Sequence, residues 1–283
     1  MSSIIILLYK WEIYSSPTIK SILASKLRFE NVNLVIWNNG PRRFQSTNVE
    51  TLTRMGFLVS IVETIENRAL SSIYNQFIKE YSSNRYIILD HDSKLNDNYI
   101  INALNSDSSA LSIPLIYSNG IVRGPKINNS ISEVGAVISK NDRILTIGSG
   151  IVIGKEIAAI VENKYGNIFD EKFYLYGVDS SFFIRISNLL LSNRVNIIDG
   201  FEHSLSRLET ETKAVKDFRL KERGYDLGLT LRFYPSLKYY KKFFKLLFKS
   251  FFYRSPLPIH HVFKSFLSGK HYRSLDEKNK KHC

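Results

Sequence analysis

Apolar and polar residues alternate in short blocks along the first ninety residues, a pattern typical of an α/β protein. Apolar runs bounded by polar or turn-forming residues predict buried strands. These runs are Ser3–Tyr9, Asn33–Trp37, Phe57–Val62 and Tyr86–Leu89. Between them, apolar residues recur every three or four positions after Pro17 and over Asn67–Tyr81, which predicts helices. Strands that alternate with helices predict a sheet with parallel neighbours, helices on its faces and ligands at the carboxyl ends of its strands.

The pattern is less regular after residue 105. We expect strands at Ala110–Tyr117, Gly135–Ser139, Ile144–Ile147 and Val195–Ile198. Residues 119–129 are rich in Gly, Asn and Pro and predict a loop. Ile151–Val161 is expected to pass from strand to helix, and Ser180–Leu191 to be helical.

The strand Tyr86–Leu89 ends in two carboxylates, Asp90 and Asp92, separated by His91. On an extended backbone, side chains two residues apart point to the same side. Two carboxylates aimed together repel each other unless a cation lies between them, and Mg²⁺ or Mn²⁺ is the natural occupant. The alternative is a solvated, Asp-rich turn, because Asp is common where strands end. These residues alone leave both interpretations open.

Charge is distributed unevenly along the 283 residues, whose net charge is +13. Residues 213–283 contain 18 of the 39 Lys and Arg but only 5 of the 26 Asp and Glu, so residues 1–212 are neutral overall. A neutral domain is thus joined to a cationic extension that favours an anionic partner. The only cysteine, Cys283, excludes an internal disulfide framework and fits a reducing compartment.

The apolar start of the chain, Met1–Trp11, is expected to form a buried strand rather than a signal peptide. The sequence contains no uninterrupted run of about 18 apolar residues, so we expect no transmembrane helix. The hypothesis from composition is a cytoplasmic protein, soluble or peripheral to a membrane.

The segment Leu237–Phe252 predicts a basic amphipathic helix. Its bulky apolar face comprises Leu237, Tyr240, Phe244, Leu247, Phe248 and Phe251, and its basic face Lys238, Lys241, Lys242, Lys245 and Lys249. Such a helix is typical of an anchor that lies in a membrane interface. The alternative is a helix packed on the rest of the protein with its lysines in solvent. No nucleic-acid-binding motif accompanies the charge, so we expect no nucleic-acid partner.

Residues 3–210 resemble the family 2 glycosyltransferases, in particular bacterial enzymes that build O-antigen, lipopolysaccharide and capsule polysaccharides. Asn38-Asn39-Gly40 is similar to the family's nucleotide-base pocket, with Asn38 in place of the usual Asp and Pro41 in place of Ser. Asp90-His91-Asp92 resembles the family's DxD motif. The other matching segments follow in the family's order: Asn67 to Asn75 with Ala69 in place of glycine, Gly148-Ser149-Gly150, Tyr176-Gly177-Val178-Asp179, and His203.

The resemblance implies a fold and an activity. The fold is α/β of the GT-A type, a Rossmann-like three-layer α/β/α domain over 1–212, followed by a basic helical extension over 213–283. The activity is that of an inverting hexosyl- or rhamnosyltransferase that uses a UDP- or dTDP-sugar and Mg²⁺ or Mn²⁺. The acceptor is expected to be a saccharide on a polyprenyl diphosphate, at the anionic inner face of the cytoplasmic membrane.

The resemblance also assigns roles to residues. Asp92 is expected to coordinate the metal, and Asp90 to contact the donor ribose or a metal-bound water. Asp179 is the candidate general base, with a helix cap as its structural alternative. His203 is either a ligand of the metal or diphosphate, or a structural histidine. The donor-binding residues are expected to be Tyr9, Asn38, Asn67, Asn75, Asp90 and Asp92.

The alternative function is a non-catalytic basic protein that binds anionic membrane or nucleic acid through its tail. Such a binding module has no need for acidic and amide side chains that converge on one cleft. The arrangement of residues 1–212 therefore separates the two hypotheses.

Overall fold

The computed structural model describes residues 1–204, 212–252 and 258–274, with only the backbone for 251 and 252. The chain divides into two compact units. The first comprises Met1–Arg68, Ser72–Ile168 and Phe182–Leu208, and the second comprises Ala69–Ser71, Phe169–Ser181 and Glu209–Cys283.

The elements alternate between strand and helix in the first half of the chain, as the sequence pattern predicts. The strands are β1 (Ser2–Leu8), β2 (Val32–Asn38), β3 (Leu58–Glu63), β4 (Arg85–Asp90), β5 (Ser93–Lys94), β6 (Leu111–Ser118), β7 (Ile121–Gly124), β8 (Lys126–Ile127), β9 (Ser130–Ile131), β10 (Ile144–Leu145), β11 (Val152–Gly154) and β12 (Val195–His203). The helices are α1 (Pro17–Ala24), α2 (Glu50–Arg54), α3 (Leu70–Glu80), α4 (Asp97–Asn105), α5 (Lys155–Tyr165), α6 (Val178–Asn188), α7 (Lys213–Phe233), α8 (Leu237–Phe252) and α9 (Ile259–Ser268).

A large mixed sheet forms the centre of the first unit, in the order β3-β2-β1-β4-β11-β6-β12-β5, with β7 paired to β6. Strands β3, β2, β1 and β4 run parallel to one another, and β12 runs parallel to β6. Strand β11 runs antiparallel to both of its neighbours. The parallel strands read as continuous apolar runs because helices cover both faces of such a sheet. The mixed α/β fold confirms the predicted fold class.

Two local predictions are wrong. Residues 135–139 form turn and irregular structure rather than a strand, and Val137 is 95% exposed. The expected loop 119–129 instead contains β7 and β8. Gly120, at φ +71°, belongs to the tight turn that lets β7 fold back onto β6.

Helices α7, α8 and α9 dominate the second unit. Helix α7 approaches α9 closely at Gly228, where a Cβ atom would lie 2.3 Å from the backbone oxygen of Val262. A small apolar core comprises Leu227, Leu231 and Val262, with Tyr239, Phe243, Leu246 and Phe266 packed against it. Helix α8 therefore uses one apolar face for packing. In the described part of the chain, no helix combines the length and apolar character needed to cross a membrane.

Candidate active site

The carboxyl ends of three parallel strands bring several predicted site residues to one edge of the sheet. Leu8 of β1 lies beside Asn38 of β2, and Leu7 lies beside Asp90 of β4. Tyr9 follows β1 directly, so it lies at the same edge. Neighbouring parallel strands have their carboxyl ends at the same edge of the sheet. Residues 30 to 80 positions apart in sequence therefore meet here.

Asp90, Asp92 and His203 form a cluster at this edge. One ligand atom from each residue lies within 4.8 Å of the others, the only such acidic and histidine group in the described ranges. His203 reaches the cluster because β12 pairs antiparallel with β5, with His203 opposite Ser93. Nδ1 of His203 lies 3.6 Å from Oδ1 of Asp92. Two carboxylates and one imidazole are donors that Mn²⁺ and Mg²⁺ accept, so the cluster fits a divalent cation.

Hydroxyl groups hold the acidic loop in place. The backbone N–H of Asp90 donates to Oγ of Ser149 at 2.9 Å, and the hydroxyls of Ser149 and Ser93 lie 2.8 Å apart. Oγ of Ser93 lies 3.0 Å from Nδ1 of His203, so the chain of hydrogen bonds links Asp90 to the histidine. Thr18 donates from Oγ1 to the backbone oxygen of Asp90 at 2.5 Å and accepts from the N–H of Ser93 at 2.9 Å. The loop is thus fixed from both sides before any ligand binds.

Neither Ser93 nor Thr18 was predicted as a site residue. Thr18 lies 72 residues from Asp90 in sequence and belongs to an ordinary amphipathic helix, so the sequence carries no signal for its contact. Ser149 lies in the predicted Gly148-Ser149-Gly150 turn. Gly150 has φ +87°, and a Cβ atom there would lie 2.6 Å from the ring of Phe201. The small residues of this turn therefore allow Ser149 to approach Asp90.

Asparagines tie the predicted base-pocket loop together. Asn38 is 2% exposed; its amide donates to the backbone oxygen of Arg42 at 2.8 Å and to Oε1 of Glu63 at 3.1 Å. Asn39 donates to Oδ1 of Asn67 at 3.4 Å and to the backbone oxygen of Arg68 at 2.9 Å. The structure thus brings Asn38 and Asn67 into one network. Since the Asn38 amide serves the loop itself, its contact with a base stays a prediction.

Tyr9 and Asn75 are the remaining predicted donor-binding residues. Tyr9 is half-buried, with Nζ of Lys10 over its ring at 5.3 Å. Asn75 lies half-buried on α3, one turn beyond Ser71. The ring of His91 lies 5.4 Å from that of Trp11. Burial lowers the pKa of His91 against the opposing attraction of Asp92, which favours the neutral imidazole.

Asp179 belongs to the second unit, where it lies in the first turn of α6. Helix α6 begins at Val178, so Asp179 lies inside the helix rather than at the capping position. Its Oδ1 accepts from the backbone N–H of Ser180 at 2.7 Å. Asp179 therefore lies at the positive end of the helix dipole. Its role as a base stays a prediction.

The sequence matches no protein-family model and no curated protein. Solved structures do match. TarS 1–349 of S. aureus in complex with UDP superposes with a TM-score of 0.52 at 12% identity over 80% of this chain. The mannosyltransferase PcManGT from Pyrobaculum calidifontis, in complex with GDP-Man and Mn²⁺, gives a TM-score of 0.50 at 12% identity over 80% of this chain.

The fold is of the GT-A type. A further structure of TarS 1–349 matches over 100% of this chain and 92% of its own, with a TM-score of 0.51 at 10% identity. The chain spans 65% of TarS 1–349 in the UDP complex and 61% of PcManGT. At these identities the likeness concerns the GT-A fold alone. Together with the Asp-Asp-His cluster, it defines a glycosyltransferase-like fold with a candidate metal site at the carboxyl edge of its sheet.

Proposed function

We propose that this chain is an inverting glycosyltransferase that moves a sugar from a nucleoside-diphosphate donor to a lipid-linked saccharide. The observation that carries the proposal is the Asp90, Asp92 and His203 cluster at the carboxyl edge of a GT-A sheet. Parallel sheets bind ligands at this edge. A protein that only bound anionic surfaces through its tail would not need a fixed acidic cluster in its other unit.

The proposed donor is a UDP- or dTDP-sugar. The TarS complex with UDP and the PcManGT complex with GDP-Man support a nucleotide-sugar donor for a chain of this fold. We assign the base and ribose to the edge formed by Tyr9, the Asn38–Gly40 loop and Asn67. Hexosyl and rhamnosyl donors both fit the proposal, and the donor panel below separates them.

Asp92, Asp90 and His203 would hold the divalent cation, which supplies charge neutralisation to the departing diphosphate. Three hydroxyl side chains hold the acidic residues in position. Ser149 and Ser93 keep the Asp90 backbone and the His203 ring at fixed distances. Thr18 fixes the other side of the loop. Such preorganisation lets the acidic residues meet the diphosphate without rearranging.

Asp179 is the proposed general base. Its role is to accept the proton of the acceptor hydroxyl as that oxygen attacks the anomeric carbon. Attack on the face opposite the leaving diphosphate inverts the anomeric configuration in one displacement. The first turn of α6 and the Ser180 N–H fix the position of this carboxylate at the positive end of the helix dipole.

Helix α8 supports a membrane location for the acceptor. Leu237 is 80% exposed, Phe244 61% and Phe248 59%, although Tyr239, Phe243 and Leu246 of the same helix pack inward. The face of α8 that packs on the protein is therefore different from the face that is exposed to solvent. Exposed aromatics flanked by Lys241 and Lys245 suit an anionic membrane surface. We therefore propose a cytoplasmic protein peripheral to the inner membrane face, where polyprenyl-diphosphate-linked saccharides of O-antigen or capsule type are extended.

The test measures both metal binding and donor turnover. Purified protein is titrated with Mn²⁺ and then given a panel of UDP-, dTDP- and GDP-sugars, with release of nucleoside diphosphate as the readout. Loss of an outer-shell partner alone weakens metal sites by about 10- to 100-fold, so Asp92→Asn should weaken Mn²⁺ binding at least tenfold and abolish release. Asp107→Asn, an exposed aspartate of the same unit, is the matched control. Unchanged Mn²⁺ affinity in Asp92→Asn would refute the metal assignment, and no release from any donor would favour the non-catalytic alternative.

A further inference from the structure

Helix α7 carries two buried carboxyl groups one helical turn apart. Glu222 is 0% exposed and Asp226 6% exposed, although most of the residues that precede them on the helix are in solvent. Neither carboxylate oxygen of Asp226 has a hydrogen-bond partner among the described residues. A buried, unpaired carboxylate is strongly disfavoured, so Asp226 requires a physical explanation.

The Asp226 carboxyl packs against the turn that leads into α6. Gly177 has φ +84°, and a Cβ atom on it would lie 3.1 Å from Cγ of Asp226 and 2.6 Å from the ring of Phe173. No other residue would let Asp226 approach the backbone this closely. Gly177 precedes the candidate base Asp179 by two residues, and both belong to the second unit. Asp226 is near enough to Asp179 for the two charges to interact.

The surroundings of the three carboxyls differ in the donors and cations they offer. Asp179 has the N–H of Ser180 and the N-terminal end of α6. Burial raises the pKa of Glu222, but its carboxylate accepts from the hydroxyl of Tyr272 and lies near the positive charges of Arg273 and Lys221, which oppose that rise. The Ser180 N–H, the Tyr272 hydroxyl and these two cations each stabilise an ionised carboxylate.

Among the described residues, Asp226 has one influence of this kind, the charge of Arg223. It lies in the interior of α7, and Arg223 attracts its ionised form, but the Arg223 guanidinium lies over the ring of Tyr176 at 5.1 Å. Burial, followed by the charges of Glu222 and then Asp179, raises the pKa of Asp226 well above its usual range. When buried carboxyls share one region, the one without donors keeps the proton.

We propose that the buried Asp226 is a protonated carboxylic acid at neutral pH and that it leaves the half-buried Asp179 as the ionised carboxylate of the pair. Asp226 would then be a positioning residue for the base: as a neutral group it packs on the Gly177 turn without repelling Asp179. When the pH rises and Asp226 loses its proton, a second negative charge appears beside this turn. The inference rests on the proposed function only for the catalytic meaning of Asp179.

The first test does not depend on activity. Protein labelled with ¹³C at the aspartate carboxyls is examined by infrared spectroscopy at pH 7, where a protonated carboxyl gives a C=O band that carboxylates lack. We expect the band in the wild type, its loss in Asp226→Asn and its retention in Asp217→Asn, an exposed aspartate on the same helix. A wild type without the band, or a band that persists in Asp226→Asn, would overturn the proposal.

The second test asks whether the two carboxyls are coupled. Removal of the neighbouring negative charge in Asp179→Asn should lower the pH at which the Asp226 band disappears. Glu222→Gln should lower it as well, because Glu222 also repels the ionised form. An unchanged midpoint in Asp179→Asn would show that Asp226 and Asp179 are not a pair. Circular dichroism of each variant confirms that its helices are intact.

The third test uses the pH profile of kcat/KM for the donor identified above. Wild-type activity should fall at alkaline pH as Asp226 ionises, and in Asp226→Asn this alkaline limb should move up by more than one pH unit or vanish. Asp217→Asn should keep the wild-type limb, and the same limb in Asp226→Asn would contradict the positioning role. If the infrared band is present but no transferase activity is found, the protonated Asp226 stands and only the proposed function fails. If activity depends on Asp179 but the infrared band is absent, the proposed function stands and only this inference fails.

Discussion

The exposed area of α8 allows an estimate of how much its aromatic residues contribute to membrane binding. Phe244 and Phe248 are about 60% exposed, and a phenylalanine side chain presents roughly 200 Å², so each leaves about 120 Å² in solvent. Complete transfer of this area from water would stabilise the bound state by about 3 kcal/mol for each residue at ~25 cal/mol per Å². A helix lying in the interface buries about half of it. The double variant Phe244→Ala/Phe248→Ala should therefore lose about 3 kcal/mol, or roughly 100-fold in vesicle affinity.

The assay is co-sedimentation with vesicles that contain anionic phospholipid, at fixed salt and increasing lipid concentration. Exposed apolar residues of the first unit offer a matched control: Ile121 and Val137 are 54% and 95% exposed, and Ile121→Ala/Val137→Ala should leave vesicle binding unchanged. Point substitutions are preferable to a truncation, because Tyr234 donates from its hydroxyl to Asp170 at 2.7 Å and a deletion from residue 232 would remove that contact.

Two results would refute the reasoning. A loss of affinity below threefold in the phenylalanine double variant would mean that this face does not enter the lipid. Equal losses in the Ile121/Val137 control would mean that binding is not local to α8. Substitution of Lys241 and Lys245 by glutamine should cost about 1 kcal/mol for each lysine and reduce the salt dependence, which separates charge from insertion.

Three further variants test the site and the fold. Asp179→Asn should retain donor binding in a nucleotide titration but lose turnover, and retained turnover would remove Asp179 as the base. Gly200→Ala should destabilise the protein by about 3 kcal/mol in urea unfolding, since its Cβ would lie 1.7 Å from the backbone oxygen of Leu115, whereas Gly124→Ala enters open space and should change little. Burial lowers the pKa of His271 to about 3, so the folded state holds it neutral and loses stability as the pH falls from about 6.5 towards 3. His271→Phe should flatten this acid limb of the unfolding free energy, and an unchanged limb would mean that other groups cause it.

The sequence predicts the strands of the first half of the sheet to within about two residues, because each is a continuous apolar run between turn-forming residues. Asn33–Trp37 was expected and Val32–Asn38 is observed. The sequence does not predict the direction of β11. This strand has only three residues, too few for a hydrophobic pattern that would indicate how it pairs. The sequence also misplaces a strand at 135–139, where Ile138 is buried but Val137 is in solvent and the backbone is irregular.

The candidate site divides in the same way. Asp90 and Asp92 are visible in sequence because they are neighbours at the end of one strand. His203 was expected only through the family resemblance, and its approach to Asp92 depends on the two-residue pairing of β5 with β12. Asp226 carries no sequence signal, because an aspartate within a charged helix looks like a solvent-facing residue. Its burial depends on the contact with Gly177, 49 positions away in sequence.

The reversed direction of β11 has a consequence for how this chain tolerates changes in length. A strand that runs against β4 begins, rather than ends, towards the Asp90 side of the sheet. Its first residue, Val152, lies opposite Ile87, so the residues just before it support the site. One residue inserted between Ile147 and Ile151 would displace the Ser149 hydroxyl from the Asp90 amide. The same insertion at 106–109, ahead of β6, would fall at the opposite edge of the sheet, remote from the acidic loop. Loop lengths at these two places should therefore vary under very different constraints.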